Sequence, residues 1–263
     1  MDFGIRGKTA LILGGAKGLG WGVAKALAAE GVNLALLSRD HDALETAAER
    51  LREQYSVEAY PVIGDLNDWA SMAAAIDEAE SRLGGQIDIL LNNGGGPPPA
   101  AISGIAPELW LQQFNAMVLS LIRTADRVVP GMRQRGWGRV LTVGSTSVVE
   151  PNPILAMSNT LRSTLVGWSK TLASEVARDG VTVNFLLPGQ IATARTEFLD
   201  EQAAQRSGET RSQVRQRKEA TIPVGRYGTP DEFGAVAAFL ASQQAAYLTG
   251  SMIRVDGGIL RSV

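Results

Sequence analysis

The sequence predicts a doubly wound α/β fold: one parallel sheet of about seven strands, helices on both faces, in a single domain over residues 1–263. Three observations predict it. Short apolar runs rich in Val, Ile and Leu alternate with stretches whose apolar residues recur at helical spacing, as repeated strand–helix units do. The runs are apolar throughout rather than alternating, which suits strands buried on both faces. Glycine-rich turns fall at strand ends, and no low-complexity linker divides the chain.

Strands are expected at 9–13, 33–37, 59–63, 88–91, 139–143, 181–187 and 252–255, each an aliphatic or β-branched run. Helical spacing fills 21–30, 43–54, 69–83, 107–135, 153–178 and 231–241. The second of these helices is opened by Arg39-Asp40-His41-Asp42, a solvated turn with capping residues. The long stretch 107–135 carries the stripe Leu109, Trp110, Phe114, Met117, Val118 and Leu121, which core or subunit-interface packing explains. The segment 196–221 breaks the pattern, being polar and dense in both charge signs. It reads as a substrate lid, and its Arg211, Arg215, Arg217 and Lys218 as either a site for an anionic carrier or a solvated helical face.

Composition narrows the function. The 25 basic and 27 acidic residues leave a net charge of −2, which excludes a nucleic-acid binder held by bulk positive charge. Hydrophobic residues at 45% supply a sizeable core and exclude a disordered chain. Without cysteine there is no disulfide, thiolate nucleophile or cysteine-bound metal, and the reducing cytoplasm is the expected location. His41 is the single histidine, so no metal site built on several imidazoles is available. No uncharged run reaches the roughly 18 residues of a membrane span, and no apolar signal core opens the chain, so a soluble, untargeted protein is expected.

Directly after the first strand stands Gly14-Gly15-Ala16-Lys17-Gly18-Leu19-Gly20. Gly14, Gly18 and Gly20 let main-chain N–H groups approach a pyrophosphate, and the following helix turns its positive N-terminal end to that anion. A glycine-rich turn alone can be a tight connection; its place on the first strand–helix turn of a Rossmann-like sheet points to a dinucleotide. About twenty residues on, Ser38-Arg39-Asp40 ends the second strand, where the adenosine ribose would lie. An acid at that tip binds both ribose hydroxyls of NAD, whereas arginine pairs with the 2′-phosphate of NADP. Ser38 at the tip, Arg39 after it and Lys17 as a second positive charge favour NADP(H), with NAD(H) as the alternative. Asp40 binds ribose hydroxyls, neutralises Arg39 or caps the next helix.

Together with motifs further along, these residues resemble the short-chain dehydrogenase/reductase family, in particular its 3-oxoacyl-(acyl-carrier-protein) reductase-like members, over essentially the whole chain. Asp65 and Leu66 in Gly64-Asp65-Leu66 match the family's adenine contact, with helix capping as the other reading of Asp65. Asn92-Asn93-Gly94-Gly95 is similar to the family's Asn-Asn-Ala-Gly, with Gly94 for Ala. Pro188-Gly189-Gln190-Ile191-Ala192-Thr193 matches Pro-Gly-x-Ile-x-Thr, which by resemblance contacts the nicotinamide end. Gly225-Arg226, Thr229-Pro230-Asp231-Glu232, Thr249-Gly250 and Val255-Asp256-Gly257-Gly258 complete a C-terminal signature. The resemblance implies a nicotinamide cofactor held by Gly14, Lys17, Gly18, Leu19, Gly20, Ser38, Arg39, Asp65, Leu66, Asn92, Gly94, Arg162, Pro188, Gly189, Ile191 and Thr193. It also implies a homotetramer or homodimer.

The catalytic positions depart from the family. Its tetrad is an Asn on the long fourth helix, a Ser at the end of the fifth strand and a Tyr-x-x-x-Lys pair on the next helix. Asn115 and Ser145 match by position, but Ser158 stands where Tyr would and Arg162 where Lys would. The register is anchored by 139–145 before and Val166-Gly167-Trp168-Ser169-Lys170 after. In the family the Lys ammonium lowers the phenol pKa from about 10, and the phenol protonates the substrate carbonyl. A serine hydroxyl is shorter and far less acidic. A guanidinium cannot shuttle protons, yet it can hold ribose hydroxyls and polarise a carbonyl. Tyr55, Tyr60, Tyr227 and Tyr247 all lie off that helix; Tyr227 is the nearest to a substitute, with packing as its plainer role, and Lys170 reads as an exposed lysine.

The resulting expectation is an NADP-preferring oxidoreductase that interconverts a carbonyl and an alcohol on a small molecule, with a carrier-bound 3-oxoacyl thioester as one candidate substrate. Asn115 would organise the site, Ser145 orient the substrate oxygen, Arg162 hold the nicotinamide ribose and supply positive potential, and Ser158 add a hydrogen-bond donor. The alternative is a non-catalytic NAD(P)-binding or regulatory homologue that kept the cradle and lost the proton donor.

Overall fold

Strands β1 (Thr9–Leu13), β2 (Asn33–Ser38), β3 (Ala59–Ile63), β4 (Ile89–Asn92), β5 (Gly138–Val143), β6 (Val181–Pro188) and β7 (Met252–Val255) pair in parallel in the order β3-β2-β1-β4-β5-β6-β7. The computed structural model describes residues 2–262. Successive side chains of a strand point to opposite faces. Leu11, Leu13 and Leu90 therefore enter one core and Ala10, Ile12, Ile89 and Leu91 the other. Helices α3 (Trp69–Arg82), α5 (Ser120–Gln134) and α6 (Ala156–Val176) close the first core through residues such as Met72, Leu121 and Leu165. Helices α1 (Gly18–Ala29), α2 (His41–Tyr55) and α9 (Pro230–Ala241) close the second through Val23, Leu44 and Phe233.

Every strand stands within one residue of its expected bounds, because each is an aliphatic run with no helical period to compete. The helices differ more. The glycine loop runs straight into α1, so the helix begins at Gly18 rather than 21. The stretch 107–135 is not one helix: α4 (Pro107–Phe114) gives way to a π-type turn at Asn115–Leu119 before α5 begins. Its apolar stripe divides there. Met117, Val118 and Leu121 are buried, while Leu109 and Phe114 are exposed.

The polar segment folds as two helices, α7 (Ala194–Ser207) and α8 (Arg211–Glu219), the second opened by a capping box between Thr210 and Gln213. Three of its four named cations are compensated internally. Arg215 pairs with Glu219 at 2.9 Å, Arg217 with Glu209 at 2.8 Å and Lys218 with the buried Asp200 at 2.6 Å. The charge that an anionic carrier could meet there is reduced to Arg211.

Helices α1 and α9 meet through glycine. A Cβ on Gly234 would stand 2.2 Å from the Gly22 carbonyl oxygen, and one on Gly22 would stand 2.1 Å from that of Pro230. Gly234→Ala is expected to destabilise the fold by about 1–3 kcal/mol, read by calorimetry as a Tm lowered by several degrees. An unchanged Tm would mean that the two helices part freely.

Among the described residues no helix is long and apolar enough to cross a membrane, and no cluster of His, Asp or Glu is placed to hold a metal ion.

Candidate active site

In an open parallel sheet, ligands bind at the carboxyl ends of the strands where the strand order reverses. Here that point lies between β1 and β4. A crevice of about 640 Å³ opens there, within the usual range for a ligand pocket. Gly14, Lys17, Gly18, Leu19, Ser38, Arg39, Asp65 and Leu66 line one end, and Gly94, Ser145, Ser158, Arg162, Pro188, Gly189, Ile191 and Thr193 the other.

At the first end, Gly14 and Gly18 have left-handed φ angles of +66° and +57°, which side chains rarely adopt. Lys17 stands at the N-cap of α1 with no capping side-chain bond, and no acid follows in the first turn. The helix's first N–H groups and positive dipole end thus face the crevice unneutralised, as an anion site requires. Gly20 does not reach the wall. A Cβ there would lie 2.1 Å from the Gly14 carbonyl oxygen, so this glycine shapes the loop from within.

At the tip of β2, Asp40 takes the capping role that the sequence offered and adds an ion pair that it did not. Asp40 caps α2 through Ala43 N–H and pairs with Lys17 at 2.6 Å, so it neutralises Lys17 rather than Arg39. The Lys17 contact and the cap hold the Asp40 carboxyl below its ordinary range. Arg39, largely exposed, has Asp65 at 4.0 Å. Asp65 accepts from the main-chain and side-chain nitrogens of Asn67, which lower its pKa, while α3 is capped by Asp68; capping is not the role of Asp65.

Two further expected residues lie off the wall. Asn92 is fully buried, its Nδ2 donating to the Leu121 carbonyl at 3.2 Å, while the next residue, Asn93, lines the crevice and donates to Leu13 O at 3.0 Å. Strand alternation sends the first side chain into the helix-covered face and the second toward β1. Asn115 is exposed at the start of the π-type turn, and Gln113, Ala116 and Met117 line the crevice instead. An i→i+5 turn carries one residue more than an α turn and rotates the face that follows.

At the other end, Ser145 follows β5, and its Oγ accepts from Ser147 N–H at 3.1 Å. Ser158 and Arg162, one turn apart on α6, meet as expected: Arg162 Nε donates to Ser158 Oγ at 3.3 Å. The guanidinium also donates to Val143 O at 2.9 Å and Gly95 O at 3.0 Å, which ties α6 to the tips of β5 and β4. Burial, with Arg195 adding like-charge repulsion, pushes Arg162 down to about 10, which leaves it cationic at neutral pH. Tyr227 turns away from the crevice; its hydroxyl donates to the Asp200 carboxylate at 3.1 Å, and burial raises its pKa. Lys170 donates to Gly250 O at 3.2 Å.

A family described as Enoyl-(Acyl carrier protein) reductase matches residues 14–260. D-beta-hydroxybutyrate dehydrogenase of Cupriavidus necator is 34% identical over 97% of this chain and 98% of its own. The 3-oxoacyl-(acyl-carrier-protein) reductase of Escherichia coli is 31% identical over 96% and 97%. Among solved structures, L-sorbose reductase from Gluconobacter frateurii, complexed with NADPH and L-sorbose, superposes with a TM-score of 0.94 at 33% identity, covering 100% of both chains. The chain belongs to the short-chain dehydrogenase/reductase family. It is an oxidoreductase of that family. Within this short-chain dehydrogenase/reductase crevice no tyrosine is found among the described lining residues, and Lys17 is the one lysine. Sequence reasoning passed over Arg195, which lines the crevice and donates to Pro97 O at 2.6 Å. Its one signal in the sequence is its place, two residues after Thr193 of the Pro-Gly-x-Ile-x-Thr motif.

Proposed function

We propose that the chain binds NADP(H) and interconverts a carbonyl and an alcohol on a small molecule, with its proton chemistry run by hydroxyls in place of a phenol. One observation carries this reading. The crevice joins the uncapped, glycine-lined end of α1 to a wall where Ser145, Ser158 and Arg162 stand together. Gly14, Gly18, Leu19, Arg39, Asp65, Leu66, Pro188, Gly189, Ile191 and Thr193 would hold the cofactor, which supplies or accepts the hydride when bound.

Among the described residues neither Ser145 Oγ nor Ser158 Oγ donates to the protein; each accepts from within. Their O–H groups are free to donate to a substrate oxygen in the crevice. Arg162 adds a fixed positive potential behind Ser158 and takes no part in proton transfer, since a guanidinium stays charged. Loss of a phenol acid costs about 10²–10⁴ in rate, so slow turnover is expected.

The test is nicotinamide absorbance with a panel of 3-oxoacyl thioesters, ketones and alcohols, beside calorimetric titration with NADPH. Turnover of a carbonyl supports the reading; binding of NADPH with no turnover of any compound leaves a nucleotide-binding protein without this activity. For the cofactor, Arg39→Ala is expected to weaken NADPH binding by about 10–100-fold and leave NADH unchanged, because a charged hydrogen bond to the 2′-phosphate is lost. Equal effects on both would remove Arg39 from phosphate recognition. The reading extends to a cytoplasmic enzyme whose segment 196–221 acts as a substrate lid, with Leu199 of α7 on the crevice wall. It also includes a homotetramer or homodimer in which the exposed Leu111 and Phe114 of α4 are covered, to be measured by light scattering.

A further inference from the structure

Arg162 and Arg195 stand side by side at the end of the crevice lined by Ser145 and Ser158, without a counter-charge. Their Nη2 atoms lie 3.8 and 3.2 Å from the point where a Cβ on Gly96 would stand. Among the described residues no Asp or Glu oxygen comes within 4.0 Å of either guanidinium. Arg162 spends its donors on main-chain carbonyls and Ser158. Arg195 has one such bond, to Pro97 O, and its guanidinium carbon lies 5.6 Å from the centre of the half-exposed Phe198 ring; among the described residues its remaining donors make no hydrogen bond.

We propose that this pair receives a carboxylate of the substrate, so that the enzyme acts on short oxo acids and the corresponding hydroxy acids as free anions. The proposal rests on the reductase reading above. Two features of the free protein oppose a cation at Arg195. The residue is half-buried, and desolvation lowers its pKa; and it stands beside a second guanidinium. A bound anion relieves both at once. Arg139 shows the contrast within the same molecule. It too is buried without a carboxylate, but the carbonyls of Gly138, Gly180 and Ser242 and the face of Trp137 enclose its guanidinium and leave it nothing to bind.

The cofactor's own anions have other sites. The uncapped end of α1 would take its diphosphate, and Arg39 stands beside Ser38 at that end of the crevice. A planar guanidinium with free donors matches a carboxylate by paired hydrogen bonds, and charge-assisted bonds of this kind are strong in a part-buried site. The same wall carries the Ser145 and Ser158 hydroxyls, and Arg162 links the pair to them, its Nε donating to Ser158 Oγ at 3.3 Å.

The experiment uses pyruvate, acetoacetate and 4-oxopentanoate, each beside its ethyl ester, which keeps the carbonyl and removes the charge. Titrated into the enzyme–NADP+ complex at fixed ionic strength, at least one acid is expected to bind about tenfold or more tightly than its ester. Arg195→Gln is expected to erase that preference, Arg195→Lys to restore part of it, and both to keep NADPH affinity within about twofold. Esters that bind as well as every acid, or an unchanged acid affinity in Arg195→Gln, overturn the proposal. So does a loss in Arg195→Gln that falls on NADPH, since the guanidinium would then serve the cofactor's phosphates. Binding and turnover separate the two claims. An acid held through Arg195 but never reduced sinks the reductase reading alone, and an ester reduced without preference for the acid sinks this inference alone.

Discussion

Arg162→Met is expected to lower kcat by about 10²–10³ and to cost the fold about 2 kcal/mol, a Tm fall of roughly 4–8 °C. The two effects have different origins. Stability is lost because the carbonyls of Val143 and Gly95, bonded at 2.9 and 3.0 Å, lose a charged donor that pins α6 to the strand tips. The Val143 oxygen is the costlier of the two, since water reaches Gly95 more easily and can replace the donor there. Removing a desolvated cation beside Arg195 returns part of that loss, which is why the net figure stays below the sum of the bonds. Activity is lost because the positive potential behind Ser158 disappears. Arg162→Lys separates the two: an ammonium keeps the charge but cannot span both carbonyls and Ser158, so Tm is expected to fall nearly as far while kcat falls less. A thermal-shift scan paired with steady-state kinetics on both variants decides. If both keep the parent Tm and kcat, Arg162 is idle and the site reading fails.

The legible and illegible parts of the molecule divide along physical lines. The strands were legible because burial on both faces forces an uninterrupted aliphatic run, which no other element imposes at that length. The glycine loop was legible because a left-handed backbone at Gly14 and Gly18 leaves a compositional mark. The π-type turn at Asn115–Leu119 left none, since one i→i+5 turn does not disturb the apolar period on either side, and Asn115, expected to organise the site, stands exposed while Met117 lines the crevice. The exchange of Asn92 for Asn93 turned on a single residue of strand register. The Lys17–Asp40 pair joins two loops 23 residues apart and is decided by tertiary geometry alone. Arg195 followed so closely on a recognisable motif that the motif absorbed it.

Ser158→Tyr with Arg162→Lys is expected to raise kcat toward a neutral ketone or ester by about 10²-fold, because it reinstates a phenol acid with a cation beside it. Ser158 is 7% exposed and lies between the buried Met157 and Asn159 on α6, so a larger side chain can extend only into the crevice that it already lines. The single change Ser158→Tyr is expected to gain far less. The guanidinium is held to the strand tips by Val143 and Gly95 and cannot follow the phenol oxygen, whereas a lysine at 162, freed from that clamp, can. The double variant also gains a titration in its kcat profile below the ordinary phenol pKa of about 10, which neither single change produces. Oxo acids are expected to respond differently. Exchanging the planar guanidinium for an ammonium loosens the cationic pair, so KM for the acid rises as kcat rises, and the preference over the ester narrows. A double variant that binds NADPH normally and is no faster than the parent would show that position 158 does not face the reacting oxygen. The proton would then come from the Ser145 side of the crevice.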